Sequence, residues 1–171
     1  MHMLICAIVY AKDEDTALEE AQSIFETLVE HSCFDYYATL DKEGMGVTGK
    51  DRWNNIPAVV KADSEEGKKL IKDGMEYTKE AFIANLGAIR WALGKRTDEE
   101  LFEDGNFKAP LFWAGMHEGR IVWLYDNHGA GIRDSLHLGN VLNKWEGIYG
   151  TVEQNPHRDD IVFVVPADVH F

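Results

Sequence analysis

The 171-residue chain has only two cysteines and no long apolar run. These two features argue against a disulfide-rich secreted protein and against a transmembrane protein. No apolar stretch approaches the roughly 20 residues that a transmembrane helix requires. The apolar start at 3–11 has no basic segment before it and acidic residues after it, which argues against a secretory signal. We therefore expect a cytoplasmic protein that does not bind membranes. Whether Cys6 and Cys33 pair stays open, since sequence gives no distance, although reduced thiols are the simpler expectation.

Basic residues are also scarce. The chain has 17 Lys and Arg and 30 Asp and Glu, which gives a net charge of -13. The excess of acids is confined to two segments that contain no Lys or Arg between their acids. These are Asp13, Glu14, Asp15, Glu19, Glu20, Glu26 and Glu30 in the first segment, and Asp98, Glu99, Glu100, Glu103 and Asp104 in the second. Phosphate binding needs the opposite sign, so we expect no direct nucleic-acid binding. An acidic surface suits a basic protein partner.

The length and a 45% hydrophobic content predict one compact domain over residues 1–171. Strands are predicted over 3–10, 34–40, 56–61 and 161–165, with a hairpin over 110–116 and 120–125. Helices are predicted after the N-caps Asp13, Ser64 and Thr97, and over 134–145. Helices and strands alternate without strict βαβ order, which predicts an α+β two-layer sandwich with a mixed sheet covered mainly on one face. An elaborated ferredoxin-like core is the favoured version, and a small parallel α/β fold is the alternative.

A glycine-rich loop, Gly44 to Gly49, matches two phosphate-binding patterns, G-x-G-x-x-G and G-x-x-x-x-G-K. Both patterns require a helix directly after the loop, whose N-terminal N–H groups hold the phosphate. Asp51 stands where the second pattern needs Ser or Thr for magnesium, and Pro57 disfavours helical geometry just before it. We therefore expect a connecting loop that does not bind nucleotide.

Titratable side chains gather where an apolar run at 121–125 breaks into a glycine-containing turn and then a predicted helix. Asp126 and His128 lie in the turn, and Asp134 and His137 share one face of the helix. Two carboxylates and two imidazoles suit a divalent metal, with His128 and His137 as its ligands, or a general base with its orienting carboxylate. Each residue also has a simpler explanation, since Asp126 can end the strand, Asp134 can cap the helix, and His137 can lie along its apolar side.

Two hypotheses for the function follow from these patterns. The first is a non-enzymatic acidic module that needs no cofactor and binds a basic partner, with an inhibitor that mimics nucleic acid as one version. Its partner-binding residues are predicted to be Glu19, Glu20, Glu26 and Glu30 on the first helix, and Trp53. Trp53 is equally suited to fold back as a lid, whereas the other four tryptophans are expected in the core. The alternative is a small metal-dependent or acid–base enzyme centred on the 126–137 loop and helix.

Overall fold

The computed structural model describes residues 2–42, 48–53, 55–105, 122–145 and 155–170. We number the elements within these ranges in chain order. The strands are β1 (His2–Ala11), β2 (Tyr36–Thr39), β3 (Val60–Lys61), β4 (Leu124–Tyr125) and β5 (Ile161–His170). The helices are α1 (Glu14–Glu30), α2 (Gly49–Arg52), α3 (Glu65–Lys95), α4 (Asp98–Glu103) and α5 (Ser135–Leu142). Among these described helices, not one combines the length and the apolar content that a membrane crossing would need.

The five strands form one mixed sheet in which β1 and β5 are central. These two strands pair antiparallel over their whole length, from His2 opposite His170 to Ala11 opposite Ile161. Strands β2 and β3 both pair antiparallel with the other edge of β5, and β4 pairs parallel with β1. The predicted α+β class with a mixed sheet is confirmed.

Helices cover both faces of this sheet, which corrects the two-layer arrangement and its ferredoxin-like version. Odd-numbered residues of β1 and β5 form a core with α1, built from Ile5, Ala7, Val9, Ala17, Ala21, Phe25, Leu28, Phe163, Val165 and Val169. Even-numbered residues form a second core with α3 and α5, built from Cys6, Ile8, Tyr10, Ile71, Leu124, Ile132, Val141 and Val164. The near-continuous apolar runs of β1 and β5 are typical of strands that are buried on both faces.

The hydrogen bonds at the starts of three helices confirm the predicted N-caps. The Asp13 carboxylate accepts a hydrogen bond from the Thr16 N–H at 2.8 Å. The Ser64 hydroxyl accepts one from the Gly67 N–H at 3.0 Å, and Thr97 begins α4 with a reciprocal capping box. These caps fix where α1, α3 and α4 begin on the sequence.

Two predicted features, the glycine-rich loop and the hairpin, lie partly outside the described residues. Residues 44–47 of the glycine-rich loop lie outside them, and its last residue, Gly49, begins α2, a single helical turn. Most of the predicted hairpin, residues 110–121, also lies outside them. Its described end is β4, and the partner of β4 there is β1, in parallel orientation.

Candidate functional site

The candidate site lies at the carboxyl ends of the two parallel strands, β1 and β4. The chain leaves β1 into α1 on one face of the sheet, and it leaves β4 into α5 on the opposite face. Where neighbouring parallel strands lead to opposite faces, a crevice opens at their carboxyl ends, and ligands of open α/β sheets bind in such crevices. Asp126 directly follows β4 at this edge, His128 and Asp134 lie in the loop to α5, and His137 is the third residue of α5.

Asp126 is a nearly buried carboxylate, 7% exposed, that organises the turn after β4. Its Oδ1 accepts hydrogen bonds from the backbone N–H groups of His128 and Ala130, both at 2.9 Å. The turn closes further because the Asp126 N–H donates to the Ala130 carbonyl and Gly129 adopts a φ of 79°. Gly129 is suited to this left-handed conformation, which other residues rarely adopt. Both backbone bonds fall on Oδ1, so Oδ2 stays available for a side chain.

His137 lies against that second oxygen, with its Nε2 2.9 Å from Asp126 Oδ2. The position of His137 follows from the start of α5, where the Asp134 carboxylate accepts the His137 backbone N–H at 2.8 Å. An ionised carboxylate only accepts hydrogen bonds, so Nε2 carries the proton of this bond. The imidazole side chain is 32% exposed, which leaves part of the ring open to a ligand.

The structure therefore brings two of the four predicted side chains together. Asp126 and His137 form the pair, whereas the Asp134 carboxylate is used as the N-cap of α5. His128 donates its backbone N–H to Asp126, but its exposed imidazole lies 3.3 Å from the Asn127 amide. No three His, Cys, Asp or Glu side chains within the described ranges form a group that could hold a metal ion.

Two further side chains at the same edge, Tyr10 and His157, were not identified from the sequence. Tyr10 near the end of β1 donates its hydroxyl to the Val141 carbonyl at 2.8 Å, and its ring lies 5.1 Å from that of His157. His157 is itself paired with Asp160, at 2.9 Å between Nδ1 and Oδ2. Both residues belong to the turn that precedes β5. The i, i+3 spacing of His157 and Asp160 was the available signal, but it shows nothing of Tyr10.

The hydroxyl of Tyr125, the last residue of β4, is excluded as the proton-transfer group. Burial is the main reason that its pKa is raised, and the neighbouring Cys33 raises the pKa further. This phenol therefore stays protonated across the physiological range. The exposed part of the Asp126–His137 pair is the better suited group for acid–base chemistry at this edge.

The acidic surface of α1 lies apart from this pair. Glu19, Glu20, Glu26 and Glu30 are all exposed, and in the described part of the chain no α1 carboxylate forms an ion pair with Lys or Arg. Tyr37 donates its hydroxyl to Glu26 at 3.3 Å. Trp53, the remaining predicted partner-binding residue, follows α2 and is half-buried rather than fully exposed.

Comparison with known proteins assigns the chain to a family without adding a chemical activity. Neither the curated proteins nor the solved structures contain a match to this sequence. One family model matches over residues 1–171. The chain therefore belongs to the family described as a domain of unknown function, DUF7995.

Proposed function

We propose that this protein is a small enzyme whose Asp126–His137 pair performs acid–base catalysis. The observation that carries the proposal is the 2.9 Å contact between Asp126 Oδ2 and His137 Nε2 at the carboxyl ends of β1 and β4. The carboxylate is nearly buried and is held by two backbone N–H groups, so it orients the imidazole with little freedom of its own. A fixed carboxylate beside a partly exposed imidazole is the arrangement that a general base requires.

The chemistry follows from the atoms that are already paired. With the proton on His137 Nε2 directed to Asp126, the other ring nitrogen, Nδ1, is the free base of the neutral imidazole. Nδ1 accepts a proton from a substrate or from a water molecule that attacks it. The imidazolium that forms is stabilised by the negative charge of Asp126, and the proton is returned to the leaving group in the reverse transfer.

The acid–base version fits the described residues better than the metal-dependent version. A catalytic zinc site uses three protein ligands. His128 and His137 were the predicted ligands, yet the described residues contain no group of three suitable side chains around them. One oxygen of Asp126 is used by backbone N–H groups, and the other faces the imidazole of His137.

Hydrolysis of p-nitrophenyl acetate tests the proposal, because this activated ester reports the reactivity of an imidazole base. We expect His137→Gln to lower the rate about tenfold or more, since a positioned general base contributes roughly 10²–10⁴-fold. His128→Gln is the matched control, because it removes an exposed imidazole nine positions earlier in the same segment. The rate of this control should stay within about twofold of that of the unmodified protein. Such a change is much smaller than the loss expected when a positioned base is removed. Equal losses in both variants would refute the assignment.

A second function is favoured by the unpaired acidic surface of α1. In this proposal the four exposed glutamates of α1 bind a basic protein surface, and the carboxylates take the places of nucleic-acid phosphates in an inhibitor. The supporting observation is that the described chain provides no Lys or Arg partner for them, so their charge is available to a partner.

Binding of a fluorescent octalysine peptide, measured by anisotropy at low salt, tests this second function. Replacing the four α1 glutamates with Gln should weaken binding about tenfold or more, since electrostatic attraction to a local patch depends on its charge. The control makes the same change in net charge at four exposed acids elsewhere, namely Asp63, Glu80, Glu99 and Glu103. Equal weakening by both sets would show attraction to total charge rather than docking on α1.

A further inference from the structure

A cavity of about 600 Å³ lies on the α3 face of the sheet, at the opposite end of β1 from the Asp126–His137 pair. Its walls are the first half of β1, one side of α3 between Glu66 and Tyr77, Trp53 with residues 55–57, and Trp123. Ligand cavities of proteins span roughly 300–1,000 Å³ and are mostly apolar with a few placed polar groups. A cavity of this size accommodates a drug-sized organic molecule, so a single ring system fills only part of it.

Aromatic side chains provide three of the walls. Trp53, Tyr77 and Trp123 all line the cavity, and the rings of Tyr77 and Trp123 lie 5.7 Å apart at a tilt of 43°. The indole N–H of Trp53 is buried and finds no acceptor among the described residues. Flat aromatic walls favour a ring-bearing ligand, because offset and tilted ring contacts add to the burial of apolar area.

A fixed imidazole provides the main polar group. Asp168 is fully buried in β5, where its carboxylate accepts the Gly49 N–H at 3.0 Å and faces His2 Nδ1 at 3.1 Å. His2 lines the cavity and is 16% exposed, and the rings of Tyr36 and His170 pack against it. Because Nδ1 donates to the carboxylate, Nε2 of the neutral ring is an acceptor. Within the described chain Nε2 has no hydrogen-bond partner, so a ligand hydroxyl can donate to it.

The charges around the cavity disfavour an anion. Among the described lining residues, Lys69 is the one Lys or Arg, and its ammonium lies 2.5 Å from Asp73, so its charge is already neutralised. Glu66 adds a further negative charge to the lining. The Cys6 thiol also lines the cavity, but burial, together with the charge of Asp73, raises its pKa to about 12. This thiol stays protonated and does not attack a ligand, so binding is non-covalent.

We propose that this cavity binds an uncharged, ring-bearing small molecule whose hydroxyl donates a hydrogen bond to His2 Nε2. The site is independent of the Asp126–His137 pair, because no residue of that pair lines it. It is also distinct from the acidic surface of α1, which lies on the other face of the sheet.

Three naphthalene probes test the proposal by ligand-observed NMR titration at pH 8. 1-Naphthol has the ring and the donor, 1-methoxynaphthalene has the ring without the donor, and 1-naphthoate carries an anion. We expect 1-naphthol to bind about tenfold more tightly than 1-methoxynaphthalene, which is the effect of one good hydrogen bond. 1-Naphthoate should bind most weakly. Equal affinities for all three probes, or tightest binding of 1-naphthoate, would overturn the proposal.

Two variants locate the binding. Tyr77→Ala removes a cavity wall that is half exposed, so the protein should fold normally while 1-naphthol binding falls about tenfold. Trp91→Ala is the matched control, because it removes an exposed aromatic ring from the same helix outside this cavity. His2→Phe should abolish the preference for 1-naphthol over 1-methoxynaphthalene. Equal losses in Tyr77→Ala and Trp91→Ala would contradict the assignment even if His2→Phe does not fold.

Discussion

Replacing Asp126 separates the structural role of this carboxylate from its catalytic role. In Asp126→Asn the side-chain oxygen still accepts the two backbone N–H groups that Oδ1 accepts in the unmodified protein. The new amide NH₂ then faces His137 Nε2, which has to accept a hydrogen bond instead of donating one. The proton of the neutral ring moves to Nδ1, so the free base is lost while the turn is kept.

The expected magnitudes come from the same contacts. Asp126→Ala removes both backbone bonds to a charged group, each of which contributes roughly 1.5–3 kcal/mol. His128 and Ala130 are exposed, so water can reach the released N–H groups and the loss should be near the lower end, about 3 kcal/mol in total. Asp126→Asn keeps these bonds as neutral ones and should lose about 1 kcal/mol or less.

Urea denaturation and ester hydrolysis together measure this difference. We expect Asp126→Asn to unfold at nearly the same urea concentration as the unmodified protein, yet to hydrolyse p-nitrophenyl acetate as slowly as His137→Gln does. A folded Asp126→Asn protein with full activity would refute the role of the carboxylate in orienting the base. Equal destabilisation by Asn and Ala would refute the account of the turn.

Three further predictions concern the two cores. Phe25→Ala should lower the free energy of unfolding by about 3–5 kcal/mol, whereas Glu26→Gln on the exposed side should change it by about 0.5 kcal/mol or less, as measured by urea denaturation. Gly74→Ala should destabilise by about 1–3 kcal/mol, because its Cβ would lie 2.7 Å from a leucine side chain of β4. Gly87→Ala, with open space at its Cβ, should raise the thermal midpoint instead. With a pKa of about 12, the Cys6 thiol should not react with Ellman's reagent at pH 8 in the folded protein, whereas it should react in urea.

Local signals in the sequence predicted the local structure well. The caps at Asp13, Ser64 and Thr97 could be predicted because each cap side chain accepts a hydrogen bond from a backbone N–H only three residues later. The class and the mixed sheet followed from the order of the elements. The order of the elements did not predict that helices pack on both faces of the sheet. The uninterrupted apolar runs of β1 and β5 do indicate it, because they place apolar side chains on both faces.

The second half of α3 shows where the periodic pattern failed. By their spacing Ile71, Thr78 and Leu93 share one face of α3, yet Ile71 and Thr78 are buried while Leu93 is 61% exposed. At 31 residues α3 is about 46 Å long, while a ten-residue strand spans roughly 33 Å, so the helix extends past the sheet. An apolar spacing predicts which side of a helix is apolar, but it does not show whether anything covers that side. Of the four tryptophans expected in the core, Trp91 and Trp145 are exposed, Trp123 is half-buried, and Trp113 lies outside the described residues.

The sequence patterns could not predict which side chains the tertiary structure pairs. Asp126 and His137 were named because they lie 11 positions apart within one segment, but the choice of His137 over His128 depends on the way in which α5 packs. His2 and Asp168 are 166 positions apart, and only the antiparallel register of β1 and β5 brings them together. The two cysteines lie against opposite faces of the sheet, which explains why both are free thiols.

Long-range ¹H–¹⁵N NMR of the histidine side chains tests the central claim most directly, because it reports which ring nitrogen carries the proton. For neutral His137 we predict a protonated Nε2 and an unprotonated Nδ1, since Asp126 Oδ2 accepts the proton of Nε2. In Asp126→Asn the two nitrogens should exchange roles, while the signals of the exposed His128 should not change. A His137 ring that carries its proton on Nδ1, or that averages between both forms in the unmodified protein, would contradict the assignment of this pair as the acid–base centre.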